Sequence, residues 1–243
     1  MPAFADVAPF YDELMRHVPY RMWASYYQLL LAQLGVEPQT MLDVCCGTGK
    51  LCELLAAEGY KLTGFDIAEP MIHEARRKAK TSGLDIRYEC MDAAGFELGE
   101  RFDAAFSFFD SLNYIAEPEK LAKAVRQVGK HLNRSGSFIF DLNTAYAFEK
   151  SMFDQQRLHP SAKVRYVWKG DWDAATRLIK VNMRFWVNGR EFEETHVQRA
   201  YSDAEIRGML EAAGFSEIRS FNSYTLDPPR ANSDRVHYTA IKP

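Results

Sequence analysis

The sequence predicts an α/β protein with a seven-stranded, mostly parallel sheet. Its last strand runs antiparallel, and a small antiparallel β insert follows strand five. Three observations carry this. From about residue 40 to 143, short apolar runs alternate with helical stretches, the pattern of βαβ units. After Asn143 the pattern gives way to strand-like segments between about Val164 and Tyr201. It then resumes with one helix and two strands that have no helix between them, and such strands pair antiparallel.

Each element follows in order. "YRMWASYYQLLLAQLG" reads as the main helix of an N-terminal helical segment beginning near Ala5, closed by a glycine cap at Gly35. "TMLDVC" is a buried strand, "GKLCELLAAEG" a helix, and "YKLTGFD" a second strand. "AEPMIHEARRKAKTSG" is a helix with Pro70 in its first turn and Gly83 past its end. "LDIRYECMD" and "RFDAAFSFF" are strands three and four; "EPEKLAKAVRQVGKHL" is a helix and "GSFIFDL" strand five. "VRYVWKGDW", "RLIKVNMRFWV" and "REFEETHVQRAY" form an insert of about three strands, with Asn188-Gly189 as a hairpin signal. Ser202 or Asp203 caps "AEIRGMLEAAG", and "FSEIRSFNSY" and "RVHYTAIKP" close the sheet. The expected division is a helical cap over 1–35, a ligand-binding domain over 36–143 and 200–243, and the insert over 144–199.

Composition narrows the function. The 243 residues are 47% hydrophobic and 26% charged, an ordinary globular mix long enough to bury a full core. A net charge of −3 lacks the basic footprint of a nucleic-acid binder. No stretch is apolar enough to span a membrane, and the N-terminus, with Asp6, Asp12 and Glu13, lacks signal-peptide character. The expected location is cytoplasmic. Cys45, Cys46, Cys52 and Cys90 show neither a disulfide framework nor zinc spacing, so no metal is expected.

Chemistry concentrates at "LDVCCGTGKLC". Gly47 and Gly49 lie between strand one and its helix, where glycine permits positive φ and close approach of a ligand. Asp66 ends strand two, 17 positions after Gly49, near the spacing at which a carboxylate meets a ribose diol. Asp92 follows strand three and suits an adenine amino group, with Ile67 and Met91 on the two ring faces. Asp43 suits an amino group. "GTGKLC" also approximates a dinucleotide fingerprint, but three carboxylates in one crevice favour a cationic adenosine ligand over a pyrophosphate.

"LDVCCGTG", "GFDIAEPMI", "ECMDAAGF", "FDAAFSFFDSLNYI" and "AYSDAEIRGMLEAAGF" resemble the successive motifs of class I S-adenosylmethionine-dependent methyltransferases, over nearly the whole chain. The layout is similar to small-molecule N-methyltransferases of the glycine and amino-sugar type, and implies a Rossmann-like sheet. The resemblance implies that Asp43 and Gly47 hold the methionine end of S-adenosylmethionine and that Asp66 binds the ribose. It implies that Asp92 and Met91 contact adenine, with Gly49, Ile67 and Met71 in the same motifs. Phe109 would line the cofactor and Tyr11 close over it. Cys45 departs from the glycine common in the family; no basic partner activates it, so its role is steric.

For catalysis the candidates are Asp110, Asn113 and Tyr114 after strand four and His196 in the insert, with His17 a further base to weigh. Tyr20 and Trp23 share a helix face and cap the site or simply pack. Trp168, Trp172 and Trp186 give the insert an apolar wall or the face of a homodimer. The expected reaction is direct in-line methyl transfer to a small-molecule acceptor, an amine nitrogen or a hydroxyl. The alternatives are an RNA or protein methyltransferase and, further off, a NAD-binding oxidoreductase or a silent cofactor-binding module.

Overall fold

Pro19 divides the N-terminal segment. A single 3-10 turn at Ala8–Phe10 leads into a short helix α1 (Tyr11–Leu14), and α2 (Tyr20–Leu34) starts directly after Pro19. Proline keeps the residue before it out of helical conformation, so the helix expected over Tyr20 to Gly35 starts afresh here and is closed by Gly35 in left-handed conformation. The computed structural model describes residues 4 and 6–243; residues 1–3 and 5 of the expected 1–35 cap lie outside the described residues.

Alternation then proceeds as β1 (Thr40–Val44), α3 (Lys50–Ala56), β2 (Lys61–Asp66), α4 (Glu69–Ser82), β3 (Ile86–Cys90), β4 (Phe102–Ser107), α5 (Pro118–Lys130) and β5 (Leu132–Asn143). A short α6 (Ala145–Glu149) leads into β6 (Gln155–Arg157), β7 (Val164–Asp173), β8 (Leu178–Val187) and β9 (Arg190–Arg199). The chain ends with α7 (Asp203–Ala212), β10 (Ser216–Asn222) and β11 (Arg235–Ile241).

The main sheet has seven strands in the order β10-β11-β5-β4-β1-β2-β3. β11 is antiparallel to both neighbours, and the pairs among β1 to β5 are parallel. The fold class expected from the sequence is therefore the one found. The strands read as continuous apolar runs because both faces are covered. On one face Tyr27, Leu30, Leu55 and Ile72 of α2, α3 and α4 pack on Met41 and Phe106. On the other, Leu121, Val125, Ile206 and Leu210 of α5 and α7 pack on Leu42, Phe138 and Phe140.

The insert is a separate antiparallel sheet of four strands, order β6-β7-β8-β9, not the expected three. The extra strand, β6, has only three residues and no readable period. Ile179, Val181, Met183 and Phe185 give β8 an apolar inner face, packed with Leu14 of α1 and Phe148 of α6. Opposite them in register, the inner face of β9 is polar: Glu194, His196 and Gln198. Among the described residues no helix is long and apolar enough to cross a membrane.

Candidate active site

β1 and β4 are neighbours whose following connections leave in opposite directions, so a crevice opens beyond their carboxyl ends. A cavity of about 1120 Å³ occupies this crevice and continues under the insert. Its wall includes Tyr11, Cys45, Gly47, Asp66, Ile67, Met71, Met91, Asp92, Phe109, Asp110, Tyr114 and His196, and also His17. Twelve of the fifteen residues expected at the site thus meet around one space.

The turn after β1 is held by the turn after β2. The Gly47 N–H donates to Asp66 Oδ2 at 2.9 Å and the Ala68 N–H to Oδ1 at 2.9 Å. Burial pushes the Asp66 carboxyl up, while the amides of Ala68, Gly47 and Ile67 pull it back. Each oxygen keeps a lone pair for a further donor. Next to it Ile67 is 67% exposed, an unusual position for a large aliphatic residue, and presents a flat apolar surface to the cavity. Nothing lies within 4 Å of where a Cβ on Gly47 would stand, and Gly47 has φ +54°. An adenosine ligand fits this edge: an open cradle at Gly47, a carboxylate at Asp66, another at Asp92, and apolar surfaces at Ile67 and Met91 between them.

Strain gathers here. Cys45, Phe109 and Asp110 adopt positive φ of 61°, 67° and 50° without being glycine. Such residues cost about 1–3 kcal/mol each and persist only where neighbours hold them. The single Ser111 hydroxyl proton is shared between Phe108 O at 2.9 Å and Cys45 O at 3.3 Å, tying the two strained turns together. Burial, then the charges of Asp66, Asp43 and Asp92, push the Cys45 thiol well up, so it stays protonated.

Three expected residues stand outside the cavity wall. Asp43 is 3% exposed and lies beneath the turn, accepting from Cys52 Sγ at 3.2 Å. Burial pushes its carboxyl up to about 8, against the pull of Cys52. Gly49 answers to packing: a Cβ there would lie 2.2 Å from Tyr88 Oη. Asn113 is fully buried and its amide is spent on the backbone, donating to Asn143 O and Arg199 O and accepting from the Asn143 N–H. It fastens the insert to β5 and does not face an acceptor.

Other residues at the site escaped the sequence. Arg235, first in β11, donates to Asp110 Oδ1 at 2.8 Å and to Asp141 Oδ2. Gln198 of β9 donates to Asp110 Oδ2 at 2.7 Å. Because β11 is antiparallel, it begins at the edge where β4 and β5 end, and that topology was the available signal. Asp12 seats α1 over the crevice: it accepts from Thr48 Oγ1 and Lys78 Nζ, each at 2.6 Å. Tyr11 thereby faces Tyr20, Tyr114 and Asp110; burial first, then those neighbours, raise its phenol, which stays neutral. Tyr20 and Trp23 pack on Phe109. Trp168 reaches the cavity wall, Trp172 packs on Phe148, and Trp186 lies outside under Arg165 and Arg184.

Comparisons with known proteins give the family and the fold. Residues 41–136 match a family model described as a methyltransferase domain. YqeM of Bacillus subtilis, itself named only as a methyltransferase, is 30% identical over 245 residues, covering 98% of this chain and 97% of that one. A crystal structure of an S-adenosylmethionine-dependent methyltransferase from Clostridium acetobutylicum superposes with a TM-score of 0.85 at 26% identity, over 96% of each chain. The dTDP-3-amino-3,4,6-trideoxy-alpha-D-glucopyranose N,N-dimethyltransferase of Streptomyces venezuelae is 31% identical over 138 residues, 56% of each chain. The chain belongs to the S-adenosylmethionine-dependent methyltransferases.

Proposed function

We propose that the enzyme moves the methyl group of S-adenosylmethionine to a nitrogen of a small-molecule amine by direct in-line displacement. The observation that carries this reading is the continuity of the cavity. One space of about 1120 Å³ runs from Asp66 and Asp92 to Trp168 and Phe185 of the insert. That exceeds the usual volume for one drug-sized ligand, about 300–1,000 Å³, and leaves room for an acceptor beside the cofactor. The Streptomyces venezuelae relative, an N,N-dimethyltransferase by name, supports nitrogen as the acceptor atom.

In this reading Asp66 takes the ribose hydroxyls, Asp92 the adenine amino group, and Ile67, Met71 and Met91 flank the ring. Gly47 and Cys45 admit the methionine end, Asp43 supports that loop from beneath, and Phe109 and Tyr11 close the remaining sides. When bound, S-adenosylmethionine supplies a methyl group already activated by its sulfonium. The protein therefore has to align the acceptor and exclude water, and orientation alone supplies roughly 7–11 kcal/mol. The insert, 144–199, acts as lid and acceptor selector over the cofactor domain of 36–143 and 200–243. Its cavity face (Met152, Phe153, Tyr166, Trp168, Met183 and Phe185) is mostly apolar.

The test is calorimetric titration with S-adenosylhomocysteine, NAD being the control, followed by transfer of labelled methyl to paired amines and alcohols of the same carbon skeleton. Binding of the first ligand alone and labelling of the amines is the expected result. Labelling confined to alcohols, or to RNA, would overturn the acceptor assignment.

A further inference from the structure

Tyr114, His196 and Glu194 form a chain of hydrogen bonds leading from the cavity wall into the insert. Tyr114 Oη lies 3.0 Å from His196 Nδ1, and His196 Nε2 lies 2.8 Å from Glu194 Oε2. An ionised carboxylate only accepts, so Nε2 carries a proton, and in the neutral ring Nδ1 then presents its lone pair to the Tyr114 hydroxyl. His196 is 2% exposed, so bulk water does not compete for either nitrogen.

Glu194 does more than orient the ring. Its Oε1 accepts the backbone N–H groups of Asp6 at 2.9 Å and Val7 at 3.0 Å, and Oε2 accepts that of Phe4 at 3.0 Å. Four donors, three of them from the N-terminal segment, fill the roughly four lone-pair sites of one carboxylate. The Phe4 ring then lies 4.5 Å from the His196 ring and 5.4 Å from that of Tyr114, measured between centroids. Burial opposes charge on Glu194, but His196 and the amides of Asp6 and Val7 outweigh it and hold the carboxyl below its usual range.

We propose that Tyr114 accepts the proton of the incoming ammonium, that His196 takes up the Tyr114 proton in turn, and that Glu194 is a positioning residue that completes this relay only while residues 4, 6 and 7 are docked on it. The proposal rests on the amine reading above. An N–H bond of the ammonium breaks and leaves its electron pair on nitrogen, free to attack. A new O–H bond forms at Tyr114 as its old one breaks, and an N–H bond forms at His196 Nδ1. The resulting imidazolium faces the Glu194 carboxylate, so no unpaired charge is left buried; the proton returns to water through the cavity that Tyr114 and His196 line once product leaves. The titratable groups facing this pair are Tyr11 from α1, Asp110 from the turn after β4 with its partner Arg235 from β11, and Glu194 from β9.

The experiment has a part that needs no acceptor. Nitrogen NMR of the histidine rings in the S-adenosylhomocysteine complex reads the tautomer: His196 is expected with Nε2 protonated and Nδ1 bare, and the reverse would overturn the relay. In Glu194→Gln, amide exchange at Phe4, Asp6 and Val7 is expected to quicken at least tenfold while S-adenosylhomocysteine affinity stays within twofold; unchanged exchange would overturn the positioning role. The second part uses 2-phenylethylamine as the probe acceptor. Tyr114→Phe should lower kcat about a hundredfold at pH 7 with KM for S-adenosylmethionine unchanged. That deficit should close as pH approaches the pKa of the amine, which then arrives already deprotonated. A deficit independent of pH would overturn the relay. Failure of the wild-type enzyme to methylate the probe would count against the amine reading, whereas the tautomer and exchange results judge the Glu194–His196 arrangement by themselves.

Discussion

The two glycines of the turn after β1 differ in what a side chain would meet. Gly47 at φ +54° has open space around its Cβ position, whereas Gly49 at φ +74° has Tyr88 Oη 2.2 Å away. Gly47→Ala should therefore cost about 1 kcal/mol of stability for its left-handed backbone and weaken S-adenosylhomocysteine binding at least tenfold. Gly49→Ala should destabilise by about 2–3 kcal/mol through overpacking and strain. Urea midpoints and calorimetry on both variants check this, and the same affinity loss in each would refute the division. Asp66→Ala removes the acceptor that also holds the Gly47 amide. A more than tenfold loss of cofactor affinity is expected, and unchanged affinity would sink the ribose assignment. The positions of Asp66 and Asp92 on the cavity wall were legible in the sequence because one ends β2 and the other follows β3, where side chains enter the crevice. Asp43 lies inside β1, and alternation turns it with Met41 toward α3. Asn113 was misread because a short polar side chain in a turn looks the same whether it faces a ligand or the backbone.

At the scale of elements, the long strands and helices were legible and the short ones were not. β7, β8 and β9 have ten residues each and a clear period; β6 and α6 have three and five, too few for a pattern. The polar inner face of β9 was readable as Glu194, His196 and Gln198 at every second position, but only the register with β8 reveals that this face is buried. The cap of α7 was also readable, and it is a full capping box between Ser202 and Glu205. Arg177, just before β8, grips the same carboxylate through two bonds of 2.6 Å. Hydrogen bonding from Arg177, opposed by burial and aided by Ser202, holds the Glu205 carboxyl at about 2. A folded-state pKa below the ordinary value of 4.5 stabilises the fold above that value, and the gain is lost as pH falls toward about 2. Glu205→Gln keeps the cap but loses the charge pair, so it should be less stable than the wild type by about 0.5–1 kcal/mol at pH 6 after solvent screening, with the difference shrinking by pH 2.5. Urea unfolding at the two pH values measures it; a difference of equal size at both would contradict the assignment.

For the whole molecule, the decisive joint is the buried cluster of Arg235, Asp110 and Asp141. It unites the turn after β4, the body of β5, the first residue of β11 and, through Gln198, the insert. Asp110 is also one of the strained residues of the cavity wall, so the cluster forms part of that wall as well as joining the sheets. Burial pushes both carboxyls above their usual range, and Arg235 pulls them back. Two carboxylates sharing one guanidinium in a dry setting depend on it: removing the cation leaves buried charge uncompensated, at a cost of about 3–5 kcal/mol. Arg235→Met should lose that much stability at pH 8. The pH dependence has a definite sign. Without the guanidinium the folded-state pKa values of Asp110 and Asp141 rise further above the unfolded value, so the folded state binds protons more readily than the unfolded one. The penalty is then largest at high pH and is relieved as protons bind, so the gap between variant and wild type should narrow from pH 8 to pH 5. Denaturant titrations across that range test it, and a gap of constant size would mean that Arg235 contributes packing and not charge.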